Sequence, residues 1–281
     1  MMTTVGFIGL GRMGGAMAGH LAAAGHRVLG VDPSPEARAG AEASGVEIIE
    51  STADLTVPVV MSSLPGDAEA EEVYLEGLFD RLEPGALCID LSTIDVELSR
   101  RIAGAADEAG CRFLDCPVSG TSVHARAGTL AVMAGGDPVA VEEARPLLDT
   151  FASSVHHIGP NGAGLEMKLI TNRLLNAHVV AIAEAILAME DAELDTGACL
   201  ELLRQGAVPR LLDYKAGPMA GRDHSPLFTV ALMAKDLGLA DARRPPGPVT
   251  AAGAEILRLA RDRGWGDSDI SAVIEVLADR G

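Results

Sequence analysis

The stretch Val5-Gly6-Phe7-Ile8-Gly9-Leu10-Gly11-Arg12-Met13-Gly14 constrains this chain more than any other. An apolar run with strand character (4–8) enters a G-x-G-x-x-G turn, and an Ala-rich helical stretch (13–24) follows at once. Each glycine has a physical task. Gly9 permits a tight turn, Gly11 lets the backbone approach a pyrophosphate, and Gly14 allows the helix to pack closely on the strand. Leu10, Arg12 and Met13 complete the loop, and the helix N-terminus faces the phosphate charge. Asp32 closes a second β-like run (27–31). An acid there accepts hydrogen bonds from a ribose 2′-hydroxyl and repels a 2′-phosphate. The next residues, Pro33 and Ser34, bring no arginine to hold a phosphate. The pattern predicts NAD in preference to NADP.

The same alternation continues downstream. Further strand-like runs fall at 57–62, 86–90, 112–115 and 130–134, with helical stretches at 35–44 and 96–109. Strand–helix alternation predicts a Rossmann-type, doubly wound parallel sheet with helices on both faces. Near residue 160 the pattern changes. Asn161-Gly162-Ala163-Gly164 reads as a break with a possible N-cap, and 165–192 as one long helix free of Pro and Gly. Only helical segments follow, at 197–205, 228–243, 249–263 and 268–277, punctuated by Gly217-Pro218 and Pro245-Pro246-Gly247-Pro248. The expected architecture is α/β: a dinucleotide-binding domain over 1–160, then an all-α domain over 161–281, joined by a long interdomain helix. That helix exceeds what a small domain buries, so a homodimer or homotetramer is expected.

Composition excludes several classes. A net charge of −18 repels nucleic acid and anionic lipid. The longest apolar stretch, 174–189, contains Asn176, His178 and Glu184, which argues against a membrane span. No basic, apolar leader opens the chain, and Cys88, Cys111, Cys116 and Cys199 form no CxxC pair and meet no histidine cluster. A cytoplasmic protein without a metal site is expected. Lysines are only three, Lys168, Lys215 and Lys235, so a deprotonatable amine has three candidates. Ser119, His124 and Asp115 suggest a hydrolytic triad, but no G-x-S-x-G elbow surrounds Ser119.

Four further stretches align with one family. They are Ile89-Asp90-Leu91-Ser92-Thr93; Asp115-Cys116-Pro117-Val118-Ser119-Gly120-Thr121 with Ala127-Gly128-Thr129-Leu130; Gly159-Pro160-Asn161-Gly162-Ala163-Gly164 with Lys168 and Asn172; and Met233-Ala234-Lys235-Asp236-Leu237-Gly238. With the opening motif they resemble the β-hydroxyacid dehydrogenases: 3-hydroxyisobutyrate dehydrogenase, tartronate semialdehyde reductase and relatives. The resemblance spans nearly the whole chain in the right order. It implies an NAD-dependent oxidoreductase that interconverts a short 3-hydroxy acid and its semialdehyde, with Lys168 as general acid/base and Asn172 on the same helix face. It also implies that Ser119, Gly120 and Thr121 anchor the substrate's acid group. Lys235 is expected to close the site beside the nicotinamide, with Leu64, Pro65 and Thr93 on the nicotinamide-ribose side. An unperturbed lysine, with a pKa of about 10.4, is a poor base at neutral pH. A value of roughly 7–8 suits the task. Burial or a second cation supplies such a shift, and Lys235 is the expected second cation.

The chain departs from the family in two places. Ser119-Gly120-Thr121 replaces the usual Ser-Gly-Gly, and Thr171-Asn172-Arg173 stands where two asparagines are common. Arg173 points either at the substrate's distal group or at solvent. The run Ser119-Gly120-Thr121-Ser122 also resembles the sulfolactaldehyde reductases, which leaves a sulfonate open beside a carboxylate. A 4-hydroxybutyrate-type reductase, an imine reductase and a non-enzymatic NAD-binding protein stay open as well. Lys168 weighs against the imine reductase, and Lys168, Asn172 and Lys235 together against the non-enzyme.

Overall fold

The computed structural model describes residues 2–205 and 209–279. They fall into two compact units, Met1–Lys168 and Leu169–Gly281. The first unit is built on β1 (Thr4–Ile8), β2 (Arg27–Val31), β3 (Glu47–Ile48), β4 (Val59–Ser62), β5 (Leu87–Asp90), β6 (Arg112–Asp115), β7 (Val118–Ser119), β8 (Leu130–Gly135) and β9 (Ala152–Gly159). Their order in the sheet is β3-β2-β1-β4-β5-β6-β8-β7, with β9 also paired to β8. From β3 to β6 every pairing is parallel. The order reverses between β1 and β4. In such sheets a crevice opens at that reversal, beyond the carboxyl ends of the strands.

These strands form because helices cover both faces. Val5, Phe7, Val60, Met61, Cys88 and Ile89 are all fully buried, so the strands read as continuous apolar runs instead of alternating ones. The covering helices are α1 (Gly14–Ala23), α2 (Pro35–Glu42), α3 (Asp67–Val73), α4 (Val96–Glu108), α5 (Ser122–Ala127) and α6 (Pro138–Leu148). Met17, Ala18 and Leu21 of α1 and Val141, Ala144 and Leu148 of α6 belong to the same core as the central strands.

The doubly wound parallel sheet expected from the sequence is present from β3 to β6, and an antiparallel edge is added beyond it. β8 pairs antiparallel with β6 at Asp115–Gly135 and with β7, and parallel with β9. β7 has only two residues, and β9 carries Ser153, Ser154, His156 and His157 along a largely exposed edge. Neither shows the apolar run of a buried strand.

Helix α7 (Ala163–Asp191) has 29 residues, a length of about 43 Å. It begins in the first unit and continues into the second. The second unit adds α8 (Thr196–Arg204), α9 (Pro209–Ala220), α10 (Val230–Arg243), α11 (Pro248–Ala260) and α12 (Val273–Ala278). Its core gathers Val179, Ala183 and Ile186 of α7 with Met219, Met233, Leu237, Leu257, Ile270 and Ile274. Helix α9 has no counterpart among the helices expected from the sequence. Gly217-Pro218 reads there as a break, yet the helix continues through Pro218 to Ala220. The segment expected as a helix over 268–277 is a short 3₁₀ turn, Ile270–Ala272, followed by α12. No described helix is long and apolar enough to cross a membrane.

Candidate functional site

At the end of β1 the glycine-rich loop has the shape a pyrophosphate requires. Gly9 has a φ of +88°, and a Cβ there would collide with the Ser63 carbonyl oxygen. A Cβ on Gly14 would collide with the Gly9 carbonyl oxygen, so both positions are closed to other residues. Gly11 is the opposite case: it is exposed, and nothing lies within 4 Å of the position a Cβ would take. No side chain caps α1, whose N-terminal N–H groups and dipole therefore suit an anion.

Asp32 braces this loop. Its Oδ2 accepts the Leu10 N–H at 2.6 Å and its Oδ1 accepts the Ser34 N–H at 2.7 Å. A fixed carboxylate thus sits at the end of β2, where an adenosine ribose lies in this fold. The first cation after it, Arg38, is paired with Glu50 at 3.3 Å. Across the reversal, the loops after β4 and β5 are joined twice. The Leu64 N–H donates to Ser92 Oγ at 2.8 Å, and the Asp95 N–H donates to Asp67 Oδ1 at 2.8 Å. Gly9, Leu10, Asp32 and Leu64 are thereby brought into one continuous rim, with Pro65 and Thr93 next to its joined residues. The residues present fit a dinucleotide.

A second cluster forms around Asp115, the fully buried last residue of β6. Its Oδ1 accepts the Gly162 N–H at 2.7 Å and its Oδ2 the Leu165 N–H at 3.1 Å. The start of α7 is therefore capped from the sheet. Asn161, in the break before α7, donates its side-chain amide to the Phe113 carbonyl oxygen at 2.9 Å. Gly135 and Gly164 leave room for the carboxylate; Cβ atoms there would lie 2.5 Å and 3.0 Å from its oxygens. Burial pushes Asp115 up to about 6, against the pull of the backbone N–H groups it accepts. Lys168, half-buried, stands three residues beyond Leu165.

From Asp115 the chain runs through β7 to Ser119, Gly120 and Thr121. Gly120 has a φ of +134°, and a Cβ there would lie 2.8 Å from Leu130 Cδ2. Thr121 caps α5: its Oγ1 accepts the Val123 N–H at 3.3 Å and lies 3.0 Å from His124 Nδ1. The departure from Ser-Gly-Gly thus has a local cause, a capping box. The same contacts dissolve the triad of Ser119, His124 and Asp115, because His124 and Asp115 each serve a different helix start.

In the second unit, Asn172 is buried and donates its amide to Asp236 Oδ2 at 2.6 Å. Asp236 is itself buried and lies 3.2 Å from the Lys235 ammonium. Asn172 and Lys235 are thus linked through an acid whose part the sequence motif alone does not disclose. The Lys235 ammonium, the expected second cation, thus has a carboxylate beside it. Lys215 is also spoken for, in a buried ion pair with Asp269 at 2.6 Å. Arg173, left open by the sequence between substrate and solvent, is tied within the second unit. It pairs with Asp241 at 2.6 Å and donates to the Arg244 carbonyl oxygen, fastening the end of α10. Cys88 and Cys116 are buried, and burial raises both thiols above their ordinary range. Among the described residues, no cluster of three or more His, Cys, Asp or Glu is placed to hold a metal ion.

Residues 4–159 match the family described as the NAD binding domain of 6-phosphogluconate dehydrogenase, and residues 162–277 that described as NAD-binding of NADP-dependent 3-hydroxyisobutyrate dehydrogenase. The chain is 36% identical to the NAD-dependent L-serine dehydrogenase of Pseudomonas aeruginosa, with 97% of each chain covered. It is 38% identical to a probable 3-hydroxyisobutyrate dehydrogenase of Mycobacterium tuberculosis, with 99% of each covered. The solved structure of Mycobacterium tuberculosis 3-hydroxyisobutyrate dehydrogenase with L-serine superposes with a TM-score of 0.87 at 36% identity, covering 100% of both chains. A braced dinucleotide loop, a helical second half and whole-length similarity agree: this chain belongs to the β-hydroxyacid (3-hydroxyisobutyrate) dehydrogenase family of NAD(P)-dependent oxidoreductases acting on CH–OH groups.

Proposed function

We propose that the chain oxidises a short 3-hydroxy acid of the L-serine and 3-hydroxyisobutyrate type with NAD, and that Lys168 is its proton-transfer group. Both acids carry a carboxylate two carbons from a CH₂OH group, so one site geometry serves both. The place of Lys168 on α7, half-buried and one helical turn before the buried Asn172, carries its assignment. Lys215 is locked to Asp269 inside the second unit, and Lys235 is compensated by Asp236. Arginine cannot surrender its proton in this range.

In oxidation the neutral Lys168 amine takes the hydroxyl proton; in reduction its ammonium returns a proton to the carbonyl oxygen. The chemistry supplied by bound NAD is hydride acceptance at nicotinamide C4. Asn172 stands one helical turn after Lys168, so the two share a face of α7. The Asn172 amide is held by Asp236, which fixes its orientation. Around Gly120 the Gly120 N–H and the Ser119 hydroxyl serve the carboxylate, the Thr121 N–H being held by His124 Nδ1. Neutral donors of this kind hold an anion by charge-assisted hydrogen bonds. Asp32 favours the free 2′-hydroxyl of NAD.

Met167, Ile170 and Leu174 are exposed along one side of α7. We assign that face to a homodimer or homotetramer, in a cytoplasmic protein with unpaired cysteines. NAD-linked turnover across L-serine, 3-hydroxyisobutyrate, glycerate, 4-hydroxybutyrate and sulfolactate tests the substrate class, with L-serine or 3-hydroxyisobutyrate expected to lead. Lys168→Ala and Lys168→Arg are both expected to abolish turnover while retaining NADH binding. Intact turnover in either variant refutes the role of Lys168.

A further inference from the structure

Behind the rim of the dinucleotide crevice lies a chain of buried polar groups. Ser62, Tyr74, Asp90 and Ser92 are each at most 4% exposed. Asp90 Oδ1 accepts the Ser62 hydroxyl at 2.7 Å, the Ser92 hydroxyl at 2.5 Å and the Ser92 N–H at 3.2 Å. The Tyr74 hydroxyl lies 2.6 Å from Ser62 Oγ.

Proton counting gives this chain a direction. A carboxylate only accepts, so Ser62 and Ser92 both turn their hydroxyl hydrogens toward Asp90. Ser62 has then spent its hydrogen, and Tyr74 must donate to it. Burial and the nearby charge of Asp90 both push the Tyr74 phenol well above its ordinary range, which keeps that hydrogen in place. Ser92, likewise, is left with only lone pairs for its remaining neighbour, the Leu64 N–H at 2.8 Å. Without Asp90, the Ser92 hydrogen is free to rotate toward the Leu64 N–H and oppose it.

What this arrangement fixes is the loop after β4. That segment is also held at Ser63, whose N–H donates to the Ile8 carbonyl oxygen at 2.9 Å, and it passes directly under Gly9, where a Cβ would strike Ser63. In a sheet of this order, β1 to β3 serve the adenosine half of a dinucleotide. The loops after β4 and β5 then face the other half. A buried carboxylate is an expensive way to stabilise a core, since its desolvation offsets much of what its bonds return. Its tangible product here is loop position.

We propose that Asp90 is a positioning residue for the nicotinamide half of the cofactor site, acting through the Ser92 hydroxyl on the Leu64 N–H. The proposal rests on the dinucleotide reading of the crevice. It is tested by comparing NADH with ADP, which lacks the nicotinamide and its ribose, as ligands of the full chain in calorimetric titrations. Ser92→Ala and Asp90→Ala are expected to weaken NADH about tenfold, the worth of one buried hydrogen bond, with ADP held within about twofold. Asp90→Asn keeps an oxygen that accepts the same hydroxyls and is expected to restore most of the NADH affinity. An NADH to ADP ratio unchanged from wild type in Ser92→Ala overturns the proposal, whether both affinities persist or both fall together. Should Asp90→Ala not fold, Ser92→Ala decides alone. A wild-type protein that binds neither ligand refutes the dinucleotide reading itself, before any variant is measured.

Discussion

Asp32→Asn is the sharpest perturbation of cofactor choice, because it removes a charge while leaving a side-chain oxygen in place. The Asp32 carboxylate is held by the Leu10 and Ser34 N–H groups at 2.6 Å and 2.7 Å, so it cannot swing away from a ligand without breaking the phosphate loop. A 2′-phosphate carries about −1.5 to −2 charges at neutral pH. Two unit charges about 4 Å apart repel by about 1 kcal/mol in water and about 4 kcal/mol at the effective dielectric near a protein surface. Asp32 is half-buried, so the penalty on NADPH falls between these limits, at about 2–4 kcal/mol, or roughly 30- to 1,000-fold in affinity. Wild type is expected to prefer NADH by that factor in fluorescence titrations, and Asp32→Asn to erase most of it by gaining NADPH affinity. Asp32→Ala differs. It leaves the Leu10 N–H without its acceptor and is expected to weaken both cofactors by about 1–3 kcal/mol. Equal affinity of the wild-type protein for NADH and NADPH, or an unchanged ratio in Asp32→Asn, refutes the electrostatic reasoning.

Three other outcomes follow from the same geometry. Asp269 also accepts the Leu227, Phe228 and Ser271 N–H groups; Lys215→Met therefore leaves a partly satisfied acid, whereas Asp269→Ala strands a buried ammonium. Denaturant titrations should give losses near the two ends of the range for broken buried pairs, about 3 and about 5 kcal/mol respectively, and a larger loss in Lys215→Met reverses the argument. Asp115 sits at about 6 in the folded chain against about 3.9 unfolded. The folded state therefore binds its proton more tightly, and this contribution is full below about pH 4 and lost as pH rises through about 6. The stability of wild type relative to Asp115→Asn should fall by about 3 kcal/mol over that window, and a pH-independent difference contradicts the assignment. Gly120→Ala, at a φ of +134° and with Leu130 Cδ2 2.8 Å away, should cost about 1–3 kcal/mol of stability and raise the KM for the hydroxy acid; an unchanged KM removes Gly120 from the acid anchor.

The sequence discloses what is local. Strands buried on both faces announce themselves as apolar runs, and the glycine loop with Asp32 is a local pattern with a local cause. Helix α7 is legible because no Pro or Gly interrupts it after its first turn. What stays hidden is set by distant partners. Asp115 caps a helix through an N–H 47 residues later, and Asp236 holds an asparagine 64 residues earlier. Nothing in the neighbourhood of either acid reports this. β9 escapes notice because an exposed edge strand can be polar, and α9 because a proline near a helix C-terminus resembles a stop.

A helix behaves as a screw, and a slip of one residue at its start turns everything beyond it by about 100°. Asp115 grips the first turn of α7 at two points, Gly162 and Leu165, and so sets the azimuth of the turn that follows. The compass bearing of the Lys168 amine is thus decided by a carboxylate at the end of a strand. Substitutions in the turn around Gly120 that spare Asp115 therefore leave the bearing of that amine unchanged.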